Sequence, residues 1–216
     1  MNQESSLWSD AWRRLLANKA AVAGGIILLV LIFLAIFAPW IAPHSYSYQN
    51  LELGAQPPSS KFLLGTDTLG RDLFSRILYG ARVSLLVGFV ATSVALVIGV
   101  SWGIVAGYFG GRIDSVMMRI VDVLYGLPFI IFIILLMVIF GRNIWLLFGA
   151  IGAVEWLTMA RIVRGQVLTV KTQEYVLAAQ AMGVSNIQMF RKHIYPNILG
   201  PIAVYATLTI PQVMLL

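Results

Sequence analysis

Two carboxylates stand among apolar residues, Glu155 and Asp122, and chemistry would first be sought there. Glu155 precedes Arg161 by six residues, ~9 Å along a helix axis. A charge in mid-membrane costs roughly 3 kcal/mol, and each large apolar residue returns about 0.3–0.6 kcal/mol. One carboxylate therefore cancels most of what about eight such residues supply. Two readings of Glu155 stay open: a residue of a solute pathway, or a carboxylate near the inner interface paired with Arg161 or Arg164. Asp122 follows Arg119 by three residues, so a local ion pair on one helical face is expected.

Catalytic patterns do not add to these. The phosphate-loop pattern G-x-x-x-x-G-K-[ST] is absent, so the chain itself is not expected to hydrolyse ATP. There is no H-E-x-x-H. With no cysteine, thiolate ligands and cysteine nucleophiles are excluded. The two histidines, His44 and His193, lie far apart in the sequence. No catalytic, cofactor-binding or metal-binding residue is assigned, and nothing points to nucleic acid.

The most informative stretch runs from Glu174 to Pro201. Thr172 is placed to cap a helix whose first turn contains Glu174, favourable at the positive end of the helix dipole. That helix continues through Ala178, Ala179 and Ala181 to Met182, and Gly183 can take the left-handed conformation that stops it. Ser185 and Gln188 form a capping box for a second helix, with Ile187, Phe190 and Ile194 at helical spacing. Pro196 is expected to break or kink it. The result is a helix–glycine–helix hairpin whose alanine-rich arm exposes little bulk and could seat in a partner's groove. The plain alternative is a connecting loop.

These residues must be positioned by a fold, and composition says which kind. Of 216 residues, 59% are hydrophobic and 11% charged, whereas soluble domains carry about 25% charge. A water-soluble fold could not cover its surface with so few charges, and the bilayer is the expected solvent. The net charge of +6 and pI of about 9.8 come from short basic segments between apolar runs. That placement fits anionic headgroups better than nucleic acid. The fold class expected is all-α, a polytopic transmembrane helical bundle with five spans.

Residues 1–19 read as a cytoplasmic amphipathic interfacial helix, with Leu7/Trp8, Ala11/Trp12 and Leu15/Leu16 recurring every four residues. Residues 20–43 hold the first transmembrane helix, ended by Pro39 and Pro43. This run of 24 residues is longer than a signal-peptide core of about 7–15 and is read as retained. Residues 44–82 form an extracytoplasmic loop with a short helix over 72–81. Residues 83–216 form the transmembrane core. Its spans are expected at 83–107, 120–140, 144–160 and 198–216, with Pro201 and Pro211 breaking the last. A cytoplasmic loop fills 161–197. Ala95, Gly99, Gly103 and Gly107 fall every fourth residue, a stripe without bulk that invites close helix contact. The chain stops at Leu216 inside an apolar run, and a further C-terminal portion is expected.

With the N-terminus inside, cytoplasmic segments hold ten basic residues and outer segments five. The positive-inside effect thus favours a cytoplasmic N-terminus.

The 174–201 stretch resembles the cytoplasmic EAA loop of bacterial ABC-importer permeases, E-A-A-x3-G-x9-I-x-L-P. Ala178, Ala179, Gly183 and Pro196 hold pattern positions. Leu177 stands at the glutamate position and Tyr195 at the leucine position, with Ile194 just before it. Glu174, three residues before Leu177, lies nearly on its face. Further segments narrow the resemblance: Leu64-Gly65-Thr66-Asp67, Gly70-Arg71-Asp72, Ser75-Arg76 and Gly80 through Leu85; Gly107 through Asp114; and Ala160 through Gly165. The whole chain resembles the C-type membrane subunit of oligopeptide and dipeptide ABC importers.

The resemblance implies a six-span permease in a bacterial inner membrane. It implies a second permease subunit, two cytoplasmic ATPase subunits that hold ATP and Mg, an extracytoplasmic peptide-binding protein, and peptide as substrate. It assigns ATPase coupling to Glu174, Tyr175, Leu177, Ala178, Ala179, Met182, Gly183 and Pro196. Glu155, Tyr205 and Thr209 are the translocation-path candidates. An importer for another solute such as nickel is the alternative within the family. From the residues alone, an ion-coupled carrier using Glu155 and broken helices also stays open.

Overall fold

The computed structural model describes the backbone of residues 7–141 and 143–215. Among the described residues all regular elements are helical, apart from an isolated bridge between Thr66 and Asp72. The chain divides into two compact units, Met1–Leu85 and Leu86–Leu216.

In the first unit, α1 (Leu7–Ala17) leads to Asn18, whose side chain accepts from Ala20 N and Ala21 N and so starts α2 (Lys19–Ile36). The expected interfacial helix reaches further back, and residues 1–6 lie outside the described residues. α2 ends before Pro39, which sits in the first turn of α3 (Ala38–Ile41), where its missing N–H is harmless. Residues 42–72 run in turns pinned by side chains. Thr66 Oγ1 accepts from Gln56 N (2.8 Å) and donates to Gly54 O (2.7 Å).

The separate short helix expected over 72–81 is instead the beginning of α4 (Leu73–Phe109), 37 residues long. No proline interrupts this stretch, and Gly80 alone costs only about 1 kcal/mol in a helix. Periodicity places a helix there but does not end it.

Among the described residues, four helices are long and apolar enough to cross a membrane: Lys19–Ile36, Leu73–Phe109, Ile144–Lys171 and the continuous Asn186–Met214. The expected five spans are thus four. The one lost is 120–140, which splits into α5 (Gly111–Tyr125) and α6 (Phe129–Phe140). Gly126 caps α5, its N–H donating to Asp122 O, and Pro128 restricts Leu127 away from helical geometry. The 12 residues of α6 cover only ~18 Å of a ~30 Å hydrocarbon core.

α7 (Ile144–Lys171) outruns the expected 144–160 by almost a dozen residues, because no helix breaker occurs before Thr172. Arg161 and Arg164 therefore lie on a helix, not in a loop. α7 is also the centre of the second unit. Met159, Val163, Val167 and Val170 form one core with residues of the segments that follow it, against Leu96, Val100, Ile104 and Tyr108 of α4. Trp156, Leu157 and Ala160 join Ala95 and Val121 in a second cluster.

After α8 (Glu174–Ala181) and α9 (Asn186–Met189), a π-helical turn at Phe190–Ile194 leads into α10 (Tyr195–Met214). Pro196 does not break the chain's course. Tyr195 N bonds Phe190 O in the wider turn, and Pro196 falls in the first turn of α10. Pro201 and Pro211 likewise lie inside the continuous α10.

Candidate functional site

The hairpin of α8 and α9 is rooted in the chain's own core. Val176 and Ala179 are buried together with Val167, Val170, Met189 and Ile194. Ala179, expected among the residues offered to a partner, is only 3% exposed and faces inward. The outward face carries Glu174, Tyr175, Leu177, Ala178 and Met182. Leu177 is 51% and Met182 77% exposed, so this apolar face is uncovered by the described residues.

Both ends of α8 are fixed by backbone chemistry. Its N-cap is Gln173, without a side-chain cap; Thr172 instead donates to Thr169 O at the end of α7 (2.9 Å). At the other end Gly183 has φ +77. Gly183 N donates to Gln180 O and Val184 N to Ala179 O, the paired bonds of a Schellman stop. Ser185 Oγ accepts from Gln188 N at 3.5 Å and starts α9. Because the π-turn shifts the register, Ile187 is exposed while Ile194 is buried, and Ile187, Phe190 and Ile194 do not form one face. Pro196 is exposed beyond the hairpin.

The small-residue stripe lies against α7. Ala95, Gly99, Gly103 and Gly107 are all buried. A Cβ on Gly99 would stand 2.6 Å from Met159 Cβ, and one on Gly103 2.5 Å from Ala160 O. One on Gly107 would stand 2.9 Å from Val167 Cβ. From the other side, Gly152 of α7 meets Ala91 and Val94. The close neighbour is thus within the chain. The pentad Gly99-Val100-Ser101-Trp102-Gly103 also has the G-x-S-x-G spacing of a nucleophile elbow. It lies in mid-helix with Ser101 Oγ donating to Val97 O (2.6 Å), so the exposed strand-to-helix turn which that motif needs is absent.

Ion pairs join α5 to α7. Asp122 pairs with Arg161 (2.8 Å), not with Arg119, and the Arg161 guanidinium stacks 4.2 Å from the Tyr125 ring centroid. Arg164 pairs with Asp114. Both arginines proposed for Glu155 are therefore engaged elsewhere. Glu155 is half-buried and has no ion-pair partner among the described residues. Tyr205 and Thr209 share a face of α10, and Thr209 Oγ1 donates to Tyr205 O (2.8 Å).

Sequence reasoning missed a second set of contacts. Lys171 Nζ donates to Tyr108 O (2.6 Å) and Gly107 O (3.3 Å), and Tyr108 OH donates to Asn186 O (2.8 Å). These partners lie 63 to 78 residues apart, and no local spacing signals them.

In the first unit, Asp67 accepts from Leu69 N, Arg71 N, Arg71 Nε and Arg76. Desolvation would raise its pKa, but these donors outweigh it and hold the carboxyl well below its usual range. Asp72 is also lowered: burial raises it, while Ser75 Oγ (2.6 Å), Ser75 N (3.0 Å) and nearby His44 together pull it down.

Comparison with known proteins agrees with this architecture. Residues 99–216 match the family of the binding-protein-dependent transport system inner membrane component, and residues 6–58 match the N-terminal TM domain of oligopeptide transport permease C. The chain is 50% identical over 206 residues to the dipeptide transport system permease protein DppC of Bacillus subtilis, covering 95% of this chain and 64% of that protein. It is 47% identical to the oligopeptide transport system permease protein OppC of the same organism, covering 95% and 68%. With OppC of Escherichia coli it shares 46% identity, covering 97% and 70%. The chain thus spans about two thirds of the length of these relatives. With its family match covering more than half its length and its helices long enough to span a bilayer, this chain belongs to the binding-protein-dependent transport system inner membrane component family.

Proposed function

We propose that the chain is a permease subunit of an ATP-driven importer of peptides, lining half of the translocation path. The outward face of α8 carries the proposal. Tyr175, Leu177 and Met182 are held exposed on a helix whose other face is sunk in the chain's own core. A helix anchored on an apolar core, with an uncovered apolar face, can receive a push without being pulled off its support. The solute class, oligopeptide or dipeptide, follows from the relatives' transport of those peptides.

In this reading a second permease completes the path, and two cytoplasmic ATPase subunits bind ATP and Mg and close around the α8 hairpins. An extracytoplasmic binding protein delivers the peptide. The N-terminus is cytoplasmic, with α1 in the inner headgroup layer of a bacterial inner membrane. Glu174, Tyr175, Leu177, Ala178 and Met182 meet the ATPase, Gly183 sets the hairpin's turn, Ala179 supports it from within, and Pro196 starts the helix that leads on from it. Glu155, Tyr205 and Thr209 are placed along the path, where their polar groups suit a wet cavity. The ATPase cycle changes transport only through its different affinities for the inward-open and outward-open states.

The experiment is reconstitution of the full complex in vesicles. Peptide with its binding protein is expected to stimulate ATP hydrolysis and drive peptide uptake, and Leu177→Lys with Met182→Lys is expected to abolish both. Uptake that persists without ATPase subunits, driven by an ion gradient, would favour a carrier instead.

A further inference from the structure

α8 follows Lys171 and α9 opens at Asn186, and the chain on both sides of α8 returns to one place, the last turn of α4. Lys171 Nζ donates to the carbonyls of Tyr108 and Gly107, at 2.6 and 3.3 Å, and stands 5.7 Å from the Tyr108 ring centroid. Those carbonyls lie in the last turn of α4, where helical acceptors run out and the dipole is negative. An ammonium there is doubly suited. On the opposite base, Tyr108 OH donates to Asn186 O at 2.8 Å, and its ring meets Phe190 edge-on at 5.9 Å.

We propose that Tyr108 and Lys171 close the base of the coupling hairpin onto α4, so that a push on α8 moves α4 and α7 together. Both are positioning residues, and the inference rests on the peptide-importer reading for its consequence. Lys171 ties the chain entering α8, and Tyr108 ties the start of α9. The two ties share a residue, since Lys171 bonds the carbonyl of the same Tyr108 whose hydroxyl reaches Asn186. Backbone hydrogen bonds inside the hairpin fix its shape but not its stance on the bundle. The core beneath Val176 and Ala179 is apolar and non-directional, and leaves the hairpin free to rock. Directional bonds at both bases remove that freedom.

The stripe along α4 gives the tie its reach. Gly99, Gly103 and Gly107 bring α4 against α7 above the same turn. Motion imposed at Tyr108 therefore meets a close-packed helix pair, which moves as a body.

The test uses the complete complex in vesicles with three variants of this chain: Tyr108→Phe, Lys171→Met and Lys171→Arg. Two quantities are read: hydrogen exchange of the amides over 173–189, and ATP hydrolysed per peptide imported. Tyr108→Phe keeps the ring and removes only the hydroxyl bond, so folding is preserved. It and Lys171→Met are expected to speed exchange in the hairpin severalfold and to raise the ATP-to-peptide ratio at least twofold. Lys171→Arg, which can still donate to both carbonyls, is expected to restore both. Unchanged exchange overturns the tie. Faster exchange with an unchanged ratio overturns its role in transmission. A wild-type complex without peptide-stimulated hydrolysis would sink the importer reading, and exchange alone would then decide the tie.

Discussion

Arg164 holds both carboxylate oxygens of Asp114 with one edge of its guanidinium: Nε lies 2.5 Å from Oδ1 and Nη2 2.6 Å from Oδ2. This planar fork joins α7 to α5, and Asp114 is only 13% exposed at its side chain. The neighbouring pair differs. Arg161 and Asp122 are 38% and 58% exposed and share one contact. Bonds to charged groups contribute about 1.5–3 kcal/mol, whereas exposed pairs contribute roughly 0–1 kcal/mol. Arg164→Ala is therefore expected to lower the thermal unfolding temperature of the purified protein clearly more than Arg161→Ala. Arg164→Lys should recover little, since an ammonium cannot form the fork. Equal effects of the two alanine variants would contradict the ranking.

The second prediction concerns the stripe. A methyl on Gly103 would press on Ala160 O at 2.5 Å and Val163 Cβ at 2.8 Å, both on the facing helix. Gly103→Ala is expected to destabilise by about 1–3 kcal/mol through overpacking. Gly165, also helical, has nothing within 4 Å of its would-be Cβ. Gly165→Ala should be neutral or stabilise by up to ~1 kcal/mol. Thermal unfolding of the two variants side by side checks the contrast.

Acid should loosen the loop of the first unit. Asp67 and Asp72 both have pKa values below their ordinary 3.8 in the fold. A depressed carboxylate contributes stability that is fully present above the unfolded pKa and is lost as pH falls through the folded one. Proteolytic cleavage within 44–72 is expected to stay slow down to about pH 4 and to accelerate below it. Asp72→Asn should open the loop already at neutral pH, because the amide cannot replace an anion between Ser75 and His44. A cleavage rate that did not change below pH 4 would contradict the assignment.

Gly183 gives a purely conformational test. Nothing lies within 4 Å of a Cβ built there, yet φ is +77. Gly183→Val should therefore cost about 1–2 kcal/mol from backbone strain alone, while Gly183→Asn should cost less. Amide exchange over 174–184 would be slowest in the wild type, faster in Gly183→Asn and fastest in Gly183→Val.

The sequence carried some of this plainly and hid the rest for identifiable reasons. Gly183, Ser185 and the stripe were legible because a left-handed stop, a cap and a close approach each depend on one residue type at one spacing. Hydropathy predicts a span over 120–140 because it sums over Gly126 and Pro128, whereas helix geometry does not. The length of α4 and α7 was hidden because their apolar faces continue past the membrane-sized window. Local spacing points Asp122 to Arg119, while its partner Arg161 comes from a helix 39 residues away. Tyr108 and Lys171 lay beyond reach for the same reason. Ala179 fitted its motif, but motif position does not say which face of a short helix is buried.

The central claim is that the outward face of α8 meets a nucleotide-handling subunit. The chain contains no cysteine, so in complexes whose other subunits are first freed of cysteine, single replacements report without background. In the assembled complex, with cysteines also placed on the ATPase surface, Leu177→Cys and Met182→Cys are expected to cross-link to the ATPase, and Val176→Cys and Ala179→Cys are not. Leu177→Cys and Met182→Cys proteins that assemble, label freely with a thiol reagent and form no cross-link at either position would contradict the account.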